Sequence, residues 1–239
     1  MSATTQTTEA RGPGLLYVNS KITDPDKFSA SVFRQWYEKV HIPDIFKTSG
    51  IKSAYRYFTT SNSSTPVDRP YLALYPLKEV GFLQTDEFKA IPVHSDLVPT
   101  PTKCIFDVAD FDTRYYANVD KVEIGNDANS NDDPQPYLTT VQFDAPVELR
   151  DADSKEVSSW YLDNNKQGAR RVRVYRLYFG RQNRNAQEHN NIATPPAFLA
   201  VHEFPSEDAA NAFVGNVNVK QTRSGFKLLK AFGNTKHNF

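Results

Sequence analysis

The sequence predicts an α+β fold: two tandem ferredoxin-like βαββαβ modules whose sheets face each other as an intramolecular α+β barrel. Three observations lead there. The segment FRQWYEKVHIPDIFKTSGIKSAYRYF, residues 33–58, has a counterpart in VSSWYLDNNKQGARRVRVYRLYF, residues 157–179. Trp36-Tyr37 matches Trp160-Tyr161, and Tyr57-Phe58 matches Tyr178-Phe179. PYLALYPL, residues 70–77, matches AFLAVHEF, residues 197–204, at nearly the same offset, and anchors recurring in one order mark an internal repeat. At 239 residues, with 39% hydrophobic and 13% aromatic content, the chain is long enough for two modules of roughly 100 residues and apolar enough to fold.

Residues 1–13 are polar and Thr-rich, without the apolar stretch of a signal peptide, and read as a disordered tail. The first module spans residues 14–117, an Asn- and Asp-rich linker residues 118–136, and the second, degenerate module residues 137–239. Each module opens on a strand, 15–22 and 137–143, rich in β-branched and aromatic residues. A helix follows: Phe33, Trp36, Tyr37 and Val40 fall at i, i+3, i+4 and i+7. Val157, Trp160 and Tyr161 repeat the stripe behind Asp153 and Glu156, which are spaced as a capping box. Strands at 51–59 and 71–75, and again at 172–179 and 198–203, flank polar loops too long for tight hairpins. A second helix (79–90 and 207–214) and a closing strand complete each copy; that strand is clear at 105–115 and faint within 225–232. One such sheet leaves a face uncovered, and two facing sheets bury what each exposes.

Lys plus Arg equals Asp plus Glu at 28 each, so no net field steers the chain to nucleic acid or to an anionic membrane. Cys104 is the single cysteine, which excludes an internal disulfide and a cysteine-built zinc site and fits the cytoplasm. No apolar run approaches the ~18 residues of a membrane span. Metal motifs, phosphate-cradling glycine loops, dinucleotide fingerprints and GxSxG elbows are all missing from the sequence. No cofactor and no metal are therefore expected. The expected partner is a hydrophobic small molecule, and a homodimer stays open.

His41 lies at the end of the first apolar stripe, two residues before Pro43. Proline lacks an amide hydrogen and collides with the preceding turn, which predicts a helix break beside His41. A helix C-terminus favours a protonated imidazole, and histidine titrates near neutrality, so His41 is a candidate general acid or base. The bland alternative is a histidine satisfying an orphan carbonyl. Tyr75 and His202 hold equivalent places at the ends of the third strands. Period-2 alternation puts Tyr71, Ala73 and Tyr75 on one face, and Phe198, Ala200 and His202 on the matching one. These aromatic, polar faces are expected to wall a pocket, with Tyr75 and His202 polarising an oxygen or donating a proton. Trp36, Tyr37, Tyr55, Tyr57 and Trp160 are candidate substrate contacts or ordinary core. Asp44 either orients the His41 imidazole or opens the turn after Pro43. Arg176, in the run Arg170, Arg171, Arg173 and Arg176, is a candidate for binding a carboxylate or enolate; a solvated face paired with acids explains the run equally. His94, His189 and His237 carry no chemical case.

The string WYEKVHIPDIF, residues 36–46, resembles the W-Y-x-x-x-H-x-P-D/E segment of EthD-like proteins in the dimeric α+β barrel superfamily. DFDTRYY, residues 110–116, is similar to the end of fungal members that carry two such modules. The resemblance implies a barrel and chemistry without a cofactor. Members include polyketide cyclases, decarboxylating or dehydrating lyases, quinone-forming monooxygenases and proteins with no assigned reaction. Asn165 stands where the second copy would carry the counterpart of His41, which implies one active pocket, in the first copy. The function expected is a cofactor-independent cyclase, isomerase or lyase of secondary metabolism. It would act by acid–base catalysis on a polyketide- or terpenoid-like intermediate. A cofactor-free monooxygenase of a phenolic or anthrone-type substrate and a non-catalytic small-molecule-binding protein are the alternatives.

Overall fold

The computed structural model describes residues 11–60, 67–124, 133–183, 195–213 and 221–234. Most of the expected tail, residues 125–132 of the expected linker, His189 and His237 lie outside the described residues. The chain begins with β1 (Gly14–Ile22), whose alternation sends Leu15 and Tyr17 to one side and Leu16 and Val18 to the other. Helix α1 (Ala30–Trp36) starts where the Ser29 hydroxyl accepts from the Val32 amide. It runs into a π-helical turn (Tyr37–His41) and then α2 (Ile42–Phe46). Strands β2 (Ser53–Thr59) and β3 (Tyr71–Leu77) follow. The predicted second helix is a 3-10 turn (Val80–Gln84) plus the single turn of α3 (Asp86–Lys89). The long strand β4 (Ala109–Glu123) then carries the chain out of its first half.

The second half repeats this order with β5 (Tyr137–Phe143), α4 (Ser154–Asn165), β6 (Arg171–Asn183), β7 (Phe198–Phe204), α5 (Glu207–Ala212) and β8 (Gln221–Gly233). The capping box of Asp153 and Glu156 is formed at the start of α4. Among the described residues, no helix is long and apolar enough to cross a membrane.

The expectation of two ferredoxin-like modules is corrected by the strand pairing. Among the described residues, eight strands form one closed antiparallel barrel in the order β1-β3-β2-β8-β5-β7-β6-β4, accompanied by a few short helices. Length is the physical reason: β4, β6 and β8 run 15, 13 and 13 residues, long enough to pair with strands of both halves. They pair across the halves, β4 with β6 and β8 with β2, and closure leaves no unpaired edge.

The closed sheet also corrects the expected chamber between facing sheets. The aliphatic faces point into the barrel, where Leu72, Leu74, Leu199 and Val201 pack with Tyr17, Tyr55 and Tyr57. An eight-stranded barrel is just wide enough for side chains to fill it. Arg171 and Arg173, 0% and 2% exposed, are buried on Glu203 rather than spread over a solvated face; charges in such a place need partners. The aromatic faces carrying Tyr75 and His202 lie outside the barrel, under the helices.

Candidate functional site

A cavity of about 290 Å³ lies between the outer face of the first-half strands and the helical segment above it. Leu16, Val18, Tyr75, Phe111 and Thr113 form its floor. Trp36, Tyr37, His41 and Ile45 form the roof, and the connection from β3 to β4 closes one side with Phe88, Val93 and Phe106. Its size is at the lower end of the range for small-molecule sites, and its lining has their usual character of apolar bulk with a few polar groups.

The roof exists because the helix departs from α geometry. The amide of Ile42 bonds the carbonyl of Tyr37, five residues back, so the turn is one residue wider and places His41 over the sheet. Pro43 sits at the start of α2, where a missing amide costs little. The predicted helix break at Pro43 is therefore corrected to a continuous segment with a π turn, a feature common at functional sites. With no helix terminus at His41, the argument for a protonated imidazole fails too.

The His41 imidazole stacks on the Trp36 ring at 4.6 Å and 13°, and meets Tyr37 edge-on at 5.4 Å. Burial pushes its pKa down to about 4, against weaker upward pulls from the Asp44 charge and from a hydrogen bond to the Pro92 carbonyl. His41 is thus neutral at neutral pH. Its Nδ1 is buried without a hydrogen-bond partner among the described residues, so the bond to Pro92 uses Nε2–H and leaves Nδ1 as a lone-pair acceptor. Opposite, the Tyr75 hydroxyl donates to the Tyr37 hydroxyl at 3.5 Å. Burial raises the pKa of both phenols, which keeps them protonated. Accepting from Tyr75 leaves the Tyr37 hydroxyl proton free to be donated elsewhere. Arg56, 2% exposed, holds that ring from behind: its guanidinium carbon sits 4.5 Å from the Tyr37 centroid while Nη1 bonds Glu38 at 3.3 Å.

Of the residues the sequence singles out, Trp36, Tyr37, His41 and Tyr75 come together here. Asp44 does not orient the imidazole; its carboxylate pairs with Lys47 at 2.6 Å. Tyr55 and Tyr57 are inside the barrel. His202 belongs to the second core, where its Nε2 shares a 2.8 Å hydrogen bond with the Tyr161 hydroxyl. Trp160 packs at the edge of that core, and Arg176 is exposed with its guanidinium carbon 4.7 Å from the Phe198 ring centroid. The structure thus brings His41 and Tyr75 together and leaves His202 in the core of the other half. Thr113, Lys89, Arg181 and Asn183, all cavity residues, carry no sequence signal, and the last two arrive from the other half of the chain.

The chain matches no family model and no curated protein by sequence. Solved structures do resemble it. An anthrone oxidase-like protein superposes with a TM-score of 0.50 at 13% identity, covering 95% of this chain and 94% of its own. A mutant chlorite dismutase from Candidatus Nitrospira defluvii in complex with cyanide gives 0.48 at 10% identity, covering 96% of each chain. A candidate monooxygenase from Fusobacterium nucleatum gives 0.44 at 9% identity, covering 97% of this chain and 98% of its own. These proteins belong to the dimeric α+β barrel superfamily. The likeness is one of fold.

Proposed function

We propose that the chain is an enzyme that deprotonates a hydrophobic phenolic or anthrone-type molecule in the first-half cavity and oxygenates it without a cofactor. The observation that carries this is the neutral His41 imidazole on the cavity wall, whose buried Nδ1 has no hydrogen-bond partner among the described residues. An empty apolar site holds a proton on His41 poorly. Once an acidic methylene or phenol gives its proton to Nδ1, the resulting anion raises the imidazole's affinity for it. Tyr37, backed by Tyr75, stabilises the oxyanion by hydrogen bonding, and the apolar walls keep water from weakening that bond. The electron-rich anion then reacts with dioxygen: the methylene becomes a carbonyl, one oxygen atom enters the product, and the other leaves as water. The fold shared with the anthrone oxidase-like protein and the EthD-like character of residues 36–46 support this reading.

A second reading keeps the proton transfer and drops the oxygen. A base at His41 and a phenol donor at Tyr37 form the acid–base pair that an isomerase, cyclase or dehydrating lyase needs. An oxygen electrode separates the two readings. Pure protein incubated with a panel of anthrones and polyphenols, with no metal, flavin or nucleotide added, should consume oxygen and form a quinone-type product. Product formed under nitrogen at an equal rate would leave the second reading standing. Saturable binding with no product in either atmosphere would make the chain a binding protein.

A further inference from the structure

In a chain whose positive and negative side chains balance at 28 each, the described residues that line the cavity include two cations, Lys89 and Arg181, and no carboxylate. They come from separate elements, α3 and β6. Arg181 pairs in register with Thr113 of β4, and Asn183 with Phe111, so both project on the same outer face as the cavity floor. Arg181 makes no ion pair among the described residues, and Lys89 has only a 3.4 Å contact with Asp86, which is fully exposed. Both cations are exposed while the apolar residues beside them are buried or partly buried; they mark the mouth and His41 the interior.

We propose that the substrate is a planar aromatic carboxylic acid, with its carboxylate held at the mouth by Arg181, Lys89 and Asn183 and its ring system directed at His41. Resting on the functional reading above, this names the class of molecule that the same site takes. Guanidinium meets carboxylate in a two-pronged contact that fixes direction as well as position. The Asn183 amide adds a donor. A cationic mouth on an apolar cavity concentrates anions and selects an amphiphile with one charged end. That fixed end decides which ring carbon reaches Nδ1.

The probes are 2-naphthoic acid and its uncharged isostere 2-naphthamide, titrated calorimetrically into the full chain. The acid should bind at least tenfold more tightly, and the margin should shrink as salt rises. In the R181Q/K89Q double variant the two should bind within threefold of each other. Equal binding of acid and amide to the unaltered protein overturns the proposal and leaves the apolar site of the functional reading in place. A preference for the acid that survives the double variant overturns it too, since the carboxylate is then held elsewhere. Binding of neither probe removes both this proposal and the cavity reading beneath it.

Discussion

The two halves of the barrel place a helix–strand pair at the same point and use it for opposite ends. Tyr37 meets Tyr75 in the first half, and Tyr161 meets His202 in the second, at positions that align in the sequence. Above Tyr75 the helix widens into a π turn, carries His41 and leaves a cavity. Above His202 a regular α4 brings Tyr161 down, Phe143 stacks on that ring at 4.2 Å, and Phe213 lies 4.4 Å from the imidazole. One histidine stands beside open space and the other is packed on every side. Burial alone does not make a site; burial next to unfilled volume does.

The largest effect that would break this contrast is on turnover. His41→Ala should lower the rate roughly 100- to 10,000-fold, the usual worth of a positioned base, and cost less stability than truncating His202, because the ring already borders a cavity. His202→Ala should do the reverse. Its side chain is 0% exposed, so truncation leaves a void and an unpaired Tyr161 hydroxyl, costing about 3 kcal/mol in urea unfolding with turnover kept. Equal rates in the two variants would remove the assignment of His41.

Acid should sharpen the contrast next. Burial depresses the pKa of His202 to about 3 and that of His41 to about 4, both below the ordinary 6.5. Between those values the unfolded chain binds protons that the folded chain refuses. Stability is therefore full above about pH 7 and falls as pH drops through 6.5 towards 3, by on the order of 2 kcal/mol per histidine near pH 4.5. His202→Phe should abolish its share of that loss, as read by denaturant melts at both pH values. Turnover should depend on the other histidine, holding steady down to about pH 5 and failing as pH falls through 4 and Nδ1 takes up a proton.

The sequence made part of this legible. The Trp36, Tyr37 and His41 spacing and the period-2 alternation around Tyr75 identify side chains that do meet in the cavity. Alternation names two faces but not which is inside: that depends on β4–β6 and β2–β8 pairing over long separations, and no local pattern encodes it. Alternation therefore groups Tyr75 with His202, although their faces lie outside the barrel in two separate cores. Pro43 signals irregularity, but a break and a π turn share that signal. Arg181 was invisible for the same reason as the barrel, since only strand register carries it to a cavity of the other half.

The smallest expected effect isolates the two hydroxyl pairs. Tyr161→Phe removes a 2.8 Å bond to a fully buried imidazole, leaves its Nε2 without a partner, and should cost about 1–2 kcal/mol of stability. Tyr37→Phe removes a 3.5 Å contact, beyond good hydrogen-bond length, and Tyr75 can turn its proton into the cavity. The loss there should stay below about 0.5 kcal/mol. If the Tyr37 proton serves a ligand and not the fold, the same variant should slow turnover roughly tenfold or more. A Tyr37→Phe protein as destabilised as Tyr161→Phe, with an unaltered rate, would place both hydroxyls in the core and leave His41 to act alone.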